Sequence, residues 1–113
     1  MIYAIDFDGT IVENKFPEIG EIKPDAEQFI RELQKRGDKW ILYTMRDGEY
    51  LDAALSFLRE HDLTPDAAND NLSEMCDVYH NNPRKIFANV YIDDHNAGGL
   101  VFAGPVAKQS AGR

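Results

Sequence analysis

An α/β fold, a parallel sheet covered by helices on both faces in three layers, follows from three observations. Short apolar runs (Ile2-Tyr3-Ala4-Ile5, Trp40-Ile41-Leu42-Tyr43 and Val90-Tyr91-Ile92) alternate with stretches whose apolar residues recur at helical spacing. The first run is hydrophobic at successive positions, as in a central strand buried on both faces. Polar residues follow directly on the runs: Asp6 and Asp8 after the first, Thr44 after the second, Asp93 and Asp94 after the last. In open parallel sheets, ligands bind beyond the carboxyl ends of the strands.

Each element has its own signal. Residues 2 to 7 read as the central strand. Residues 11 to 24 carry Pro17, Gly20 and Pro24 without helical period, which predicts a loop or small hairpin. Asp25 opens a helix in which Ala26, Phe29, Ile30 and Leu33 share a face, and Gly37 stops it. After the second strand, Asp47 is a candidate N-cap for a helix striped by Leu51, Ala54, Leu55 and Leu58, ending before Pro65. Residues 66 to 70 have room for one short strand. Asn71 and Glu74 are spaced as a capping box, and Leu72, Met75, Cys76 and Tyr79 predict a third helix, with Met75 and Cys76 in the core, ending before Pro83. Leu100-Val101-Phe102 reads as a weak edge strand.

The 113 residues suffice for one domain, expected over 1–104, with 105–113 as a flexible C-terminal tail. A net charge of −8 argues against binding a nucleic-acid backbone. The single Cys76 forms no internal disulfide, and no apolar run approaches the roughly 20 residues of a membrane span. The first residues, Met-Ile-Tyr-Ala-Ile-Asp, do not form a signal peptide, so a cytoplasmic location is expected. Homo-oligomerisation stays open.

The densest chemistry lies in Asp6-Phe7-Asp8-Gly9-Thr10-Ile11. Residues two apart on an extended segment face the same way, so Asp6 and Asp8 can share a cation and a phosphate, and Gly9 lets the chain turn away. Two of the three strand ends bring carboxylates to one sheet edge, where two charges about 4 Å apart repel by roughly 4 kcal/mol at an effective dielectric of 20. A positive charge is required among them, and oxygen ligands of this kind suit Mg2+. Lys85 offers a second positive charge for phosphate.

In order and spacing, Asp6-Phe7-Asp8-Gly9-Thr10, then Thr44, Lys85 and Ile92-Asp93-Asp94 resemble the four motifs of the haloacid dehalogenase-like superfamily of phosphotransferases. Tyr43-Thr44-Met45-Arg46, Asn69-Asp70-Asn71 and Arg84-Lys85 look like those of its small, capless members, and the resemblance covers about residues 1 to 100. It implies a Rossmann-like sheet without a cap domain and a Mg2+-dependent phosphatase acting through an aspartyl phosphate. Asp6 would be the nucleophile and Asp8 the general acid and base. Thr44 and Lys85 would bind the phosphoryl group; Asp6, Asp93 and the Asp8 backbone carbonyl would hold Mg2+, with Asp94 a further ligand or outer-shell group. The missing cap leaves the flap of residues 11 to 24, with Phe16, Pro17 and Ile19, as the lid.

Other residues admit two readings. Arg46 is a phosphate ligand or an exposed loop arginine; Asn69 and Asn71 line the site or serve turns and caps; His95 touches a leaving group or is a solvated loop histidine. The substrate class is open among sugar phosphates, nucleotides, nucleic-acid ends and phosphoproteins. A phosphorylatable signalling receiver is the competing function, but its acidic pair follows the first strand, whereas here the pair comes last. A non-catalytic binding module that keeps the motifs is a third reading.

Overall fold

The computed structural model describes residues 1–95 and residue 102. Its elements are β1 (Ile2–Ile5), β2 (Val12–Lys15), β3 (Glu18–Ile22), α1 (Pro24–Lys35), β4 (Lys39–Leu42), α2 (Gly48–Glu60), β5 (Ala67–Ala68), α3 (Ser73–Tyr79) and β6 (Val90–Ile92). Strands β5, β4, β1 and β6 lie side by side in that order, all parallel, while β2 and β3 form a separate antiparallel hairpin. The chain builds outward from β1 through β4 to β5, then crosses back to add β6 on the other side of β1. The topological switch therefore falls between β1 and β6, the crevice where such sheets bind ligands.

Alternation sorts the strand residues. Tyr3, Ile5, Trp40, Leu42 and Ile92 join Ile30 and Leu33 of α1 and Ala54 and Leu58 of α2 in one buried cluster. Ala4 and Ile41, one position out of phase, are also fully buried, so the central strands are covered on both faces as their unbroken apolar sequences require. The hairpin is rooted in the same core by Ile11 and Val12, with Ile19 and Ile22 packed against it. No described helix is long and apolar enough to cross a membrane.

The helix ends show which local rules won. Helix α1 starts at Pro24 rather than Asp25, because proline at the first helical position loses no hydrogen bond and comes with its φ preset. It ends as a Schellman motif: Gly37 is left-handed (φ 82°), and the N–H groups of Gly37 and Asp38 bond the carbonyls of Gln34 and Leu33. Asp47 does take the N-cap position of α2, without a side-chain cap bond. Helix α2 ends in the same motif, but the left-handed residue is Asp62 (φ 58°), with Asp62 and Leu63 donating to Arg59 and Leu58.

Around α3 the structure departs from expectation. The capping box does not form; Leu72 is the N-cap and makes no side-chain cap bond. Asn71 is instead buried, and its amide clamps the following segment. Nδ2 donates to Asn82 Oδ1 (3.1 Å) and the Pro83 and Lys85 carbonyls (3.0 and 3.3 Å), and Oδ1 accepts from Phe87 N–H (2.7 Å). Met75 and Cys76 are only half-buried, since this seven-residue helix is too short to bury a full stripe. Of the weak edge strand at 100 to 102, only Phe102 is described, its ring 5.5 Å from that of Phe29. The tail at 105–113 lies outside the described residues.

Two substitutions test these devices. Replacing Asn71 with Ala leaves a buried N–H and several carbonyls unpaired and should cost about 2–3 kcal/mol in urea unfolding; a loss under about 0.5 kcal/mol would dismiss the clamp. Asp62→Gly should stabilise by about 0.5–1 kcal/mol, since glycine occupies a left-handed position without the steric cost of a Cβ.

Candidate active site

The register of β1 against β6 brings the acids together. Ile5 lies opposite Ile92, and the ladder runs one rung further, Asp6 N–H donating to the Ile92 carbonyl at 3.0 Å. Asp6 and Asp93 thus leave adjacent strands at the same level. Carboxylate oxygens of Asp6, Asp93 and Asp94 lie within 4.8 Å of one another, all three residues half-buried. Opposite ligands of an octahedral Mg2+ stand about 4.2 Å apart, so the triplet could hold such an ion with little adjustment. Asp94 Oδ1 is buried and accepts no hydrogen bond, and His95 Nε2 stands 3.7 Å from it. The side chain of Asp8, expected among the metal ligands, stands outside the triplet.

The turn after β1 is wound tightly around one acceptor. The Phe7 carbonyl takes the N–H groups of Thr10, Ile11 and Val12 (3.1, 2.9 and 3.2 Å). Gly9 sits at φ 86°, and a Cβ there would run into the Asp94 carboxylate, so both the backbone and the acid cluster demand glycine. The fully buried Thr10 accepts the Asp94 N–H on its hydroxyl at 3.2 Å, tying the two acidic loops together. Lys23, just before α1, donates to the Gly9 carbonyl at 3.1 Å. Neither Thr10 nor Lys23 stands out in the sequence beyond the motif that contains the threonine.

Arg46 is neither an exposed loop residue nor free toward the pocket. It is 2% exposed. Its fork grips both oxygens of Asp8, Nε to Oδ2 at 2.7 Å and Nη2 to Oδ1 at 2.8 Å, and two of the remaining N–H groups, on Nη1 and Nη2, reach the Tyr50 and Glu18 carbonyls (3.2 and 3.1 Å). The guanidinium carbon lies 5.2 Å from the Phe7 ring centroid and 5.0 Å from that of Phe16. One cation thus joins the β1 loop, the hairpin and the start of α2, in a planar bidentate geometry that lysine cannot reproduce.

Thr44 is held by its neighbours: its N–H donates to Asn69 Oδ1 (2.8 Å), and its hydroxyl accepts from Arg46 N–H (3.1 Å). Asn69, in left-handed conformation (φ 51°), completes the loop by donating to the Arg46 carbonyl at 3.3 Å. Its role is to shape the loop that carries Thr44, whereas Asn71 serves the clamp described above.

A pocket of about 330 Å3 unites Asp6, Asp8, Thr44, Arg46 and Asp93 with Asn14, Phe16, Met45 and His95. Phe16 therefore reaches the mouth as the flap reading expects. Ile19 turns inward to the core, and Pro17 is exposed at the hairpin tip. Lys85 is exposed and lines a different depression, with Pro83, Phe87, Ala88 and Tyr91.

Burial pushes the Asp6 carboxyl up to about 6; the charges of Asp93, Asp94 and Asp8 add to this, and the Phe7 backbone hydrogen bond opposes it. Because the folded value lies above the unfolded 3.8, protonated Asp6 favours the folded state. That contribution is full below pH 3.8 and is lost as pH rises through about 6. In metal-free buffer Asp6→Asn should thus melt higher than wild type at pH 7.5, with the gap closing toward pH 4; a gap constant with pH would remove the burial argument.

No protein-family model matches the chain, and no curated protein matches it. Among solved structures, a conserved protein coded by a locus of Bacteroides thetaiotaomicron superposes with a TM-score of 0.82 at 38% sequence identity, over 98% of this chain and 89% of that one. Likeness of that extent reaches beyond the sheet to the loops that carry the acids, and on it the chain belongs to the same family as this conserved Bacteroides protein.

Proposed function

We propose that the protein is a Mg2+-dependent phosphatase of the haloacid dehalogenase-like kind, a capless three-layer sandwich acting in the cytoplasm through an aspartate nucleophile. The observation that carries this reading is the convergence of Asp6, Asp93 and Asp94 at the switch between β1 and β6, with Asp8 and Thr44 lining the same pocket. Mg2+ held by the three carboxylates would draw charge from the phosphate and bring it up to Asp6.

An Asp6 oxygen attacks phosphorus in line with the ester oxygen, forming the aspartyl phosphate as the P–O ester bond breaks. Asp8 protonates the departing oxygen, then takes a proton from the water that hydrolyses the acyl phosphate, so the proton borrowed in the first step is returned in the second. Both Asp8 oxygens begin as acceptors from Arg46, so one must be released and take up a proton from solvent before Asp8 can serve as the acid. Arg46 is thereby a positioning residue, and a contact from it to phosphate requires one of its protein bonds to be exchanged. The Thr44 hydroxyl would donate to the transferring group, its hydrogen being left over once the oxygen accepts from Arg46 N–H. Lys85 joins the reaction only if the 82–88 segment carries its ammonium to the pocket.

Turnover of phosphomonoesters should require Mg2+, weaken in acid as protons compete with the metal for Asp6, and vanish in Asp6→Asn. Metal-independent hydrolysis, or an active Asp6→Asn, would defeat the reading. Arg46→Lys keeps the charge but loses the fork, and should lower kcat by roughly 10–100-fold with a smaller effect on KM; an equal rise in KM alone would make Arg46 a plain substrate ligand. Lys85→Ala should cost at least about tenfold in rate if the segment moves; wild-type turnover would take Lys85 out of the reaction.

A further inference from the structure

Resting on the phosphatase reading, we infer that the substrate is a small monophosphate whose leaving group carries a planar aromatic ring, as in a nucleoside monophosphate or a benzylic phosphate, rather than a polyhydroxylated sugar phosphate. Three features of the pocket mouth lead there. Met45, next to Thr44, is 98% exposed, and Phe16 on the facing hairpin is 52% exposed although it stacks on Arg46. Tyr50 lies 5.4 Å from the Phe16 ring and is itself exposed, extending the wall outward. A thioether and an aromatic wall at the mouth of an acidic pocket form an apolar seat continuous with the reacting centre, and a flat ring between sulfur and aromatic surface satisfies both.

The polar groups limit the rest of the molecule. Beyond the acids and Thr44, the described lining offers Asn14 and His95, too few side chains for the hydrogen bonds of a polyol but suited to the edge of one ring. Among the described residues Arg46 is the sole arginine or lysine in that lining, and four of its five N–H donors are engaged within the protein, so it is poorly suited to take a second phosphate or a polyanionic strand. The volume of about 330 Å3 matches one ring and one phosphate more closely than a macromolecular end.

The test compares substrates that all leave as primary alcohols. With Mg2+, kcat/KM for adenosine 5′-monophosphate and for benzyl phosphate should exceed that for ribose 5-phosphate by at least about tenfold, mainly through KM. Met45→Ser should narrow that ratio several-fold. If only the nucleotide is preferred, the ring belongs to a nucleoside; if benzyl phosphate does as well, any planar ring suffices. A ratio near one, or one in favour of the sugar phosphate, overturns the inference while leaving the phosphatase reading intact. If nothing turns over, that reading falls, and titration of the same ligands into Asp6→Asn with Mg2+ decides this one: tighter binding of the ring-bearing phosphates sustains it, and equal binding rejects it.

Discussion

The hydrogen bond from Asp6 N–H to the Ile92 carbonyl is the rung on which the site depends. It extends the β1–β6 ladder past the last residue of each strand and sets Asp6 level with Asp93, at the one place where the order of strand addition reverses. A register shifted by one residue would turn Asp6 to the opposite face of the sheet. The apolar pairing of Ile5 with Ile92 in the core prevents that shift. The hydrophobic core thus fixes the placement of three mutually repelling carboxylates and bears the cost of holding them together.

That cost explains the arrangement around the acids. Asp94 is drawn in by Thr10 and by the space Gly9 leaves, and one of its oxygens accepts no hydrogen bond, with His95 Nε2 3.7 Å away. Asp8, two residues from Asp6, is balanced separately by a buried arginine flanked by Phe7 and Phe16. Charge compensation is therefore divided, with a guanidinium built into the protein for Asp8 and the three remaining carboxylates grouped apart from it within 4.8 Å of one another. Because Arg46 also bonds the Glu18 carbonyl, the position of the hairpin and the availability of Asp8 are mechanically linked.

Much of this was legible in the sequence, and the boundary is physical. Apolar runs and helical stripes report burial, which is why β1, β4, β6, α1 and α2 and the strand-end acids are readable from spacing alone. The adjacency of Asp6 to Asp93 and Asp94 also follows, because parallel strands deliver their carboxyl ends to one edge. Partner choice is not readable. Nothing about Arg46 in a polar loop announces that it crosses to Asp8, because that pairing depends on the hairpin and α2 folding over it. Asn71 resembles a cap in sequence, yet its amide is taken by carbonyls between 83 and 85 that no local rule connects to it. Lys85 has the expected spacing before β6, but backbone length alone does not set the direction of a long side chain.

The hairpin has one further consequence. Its base, Ile11 and Val12, is fully buried, whereas residues 13 to 18 are all exposed and reach the pocket only through Asn14 and Phe16. A change at the tip therefore acts twice: on the side chains of Asn14 and Phe16 that line the pocket and, through the Glu18 carbonyl and the Phe16 ring, on the arginine that grips Asp8, while the buried base of the hairpin is left as it was.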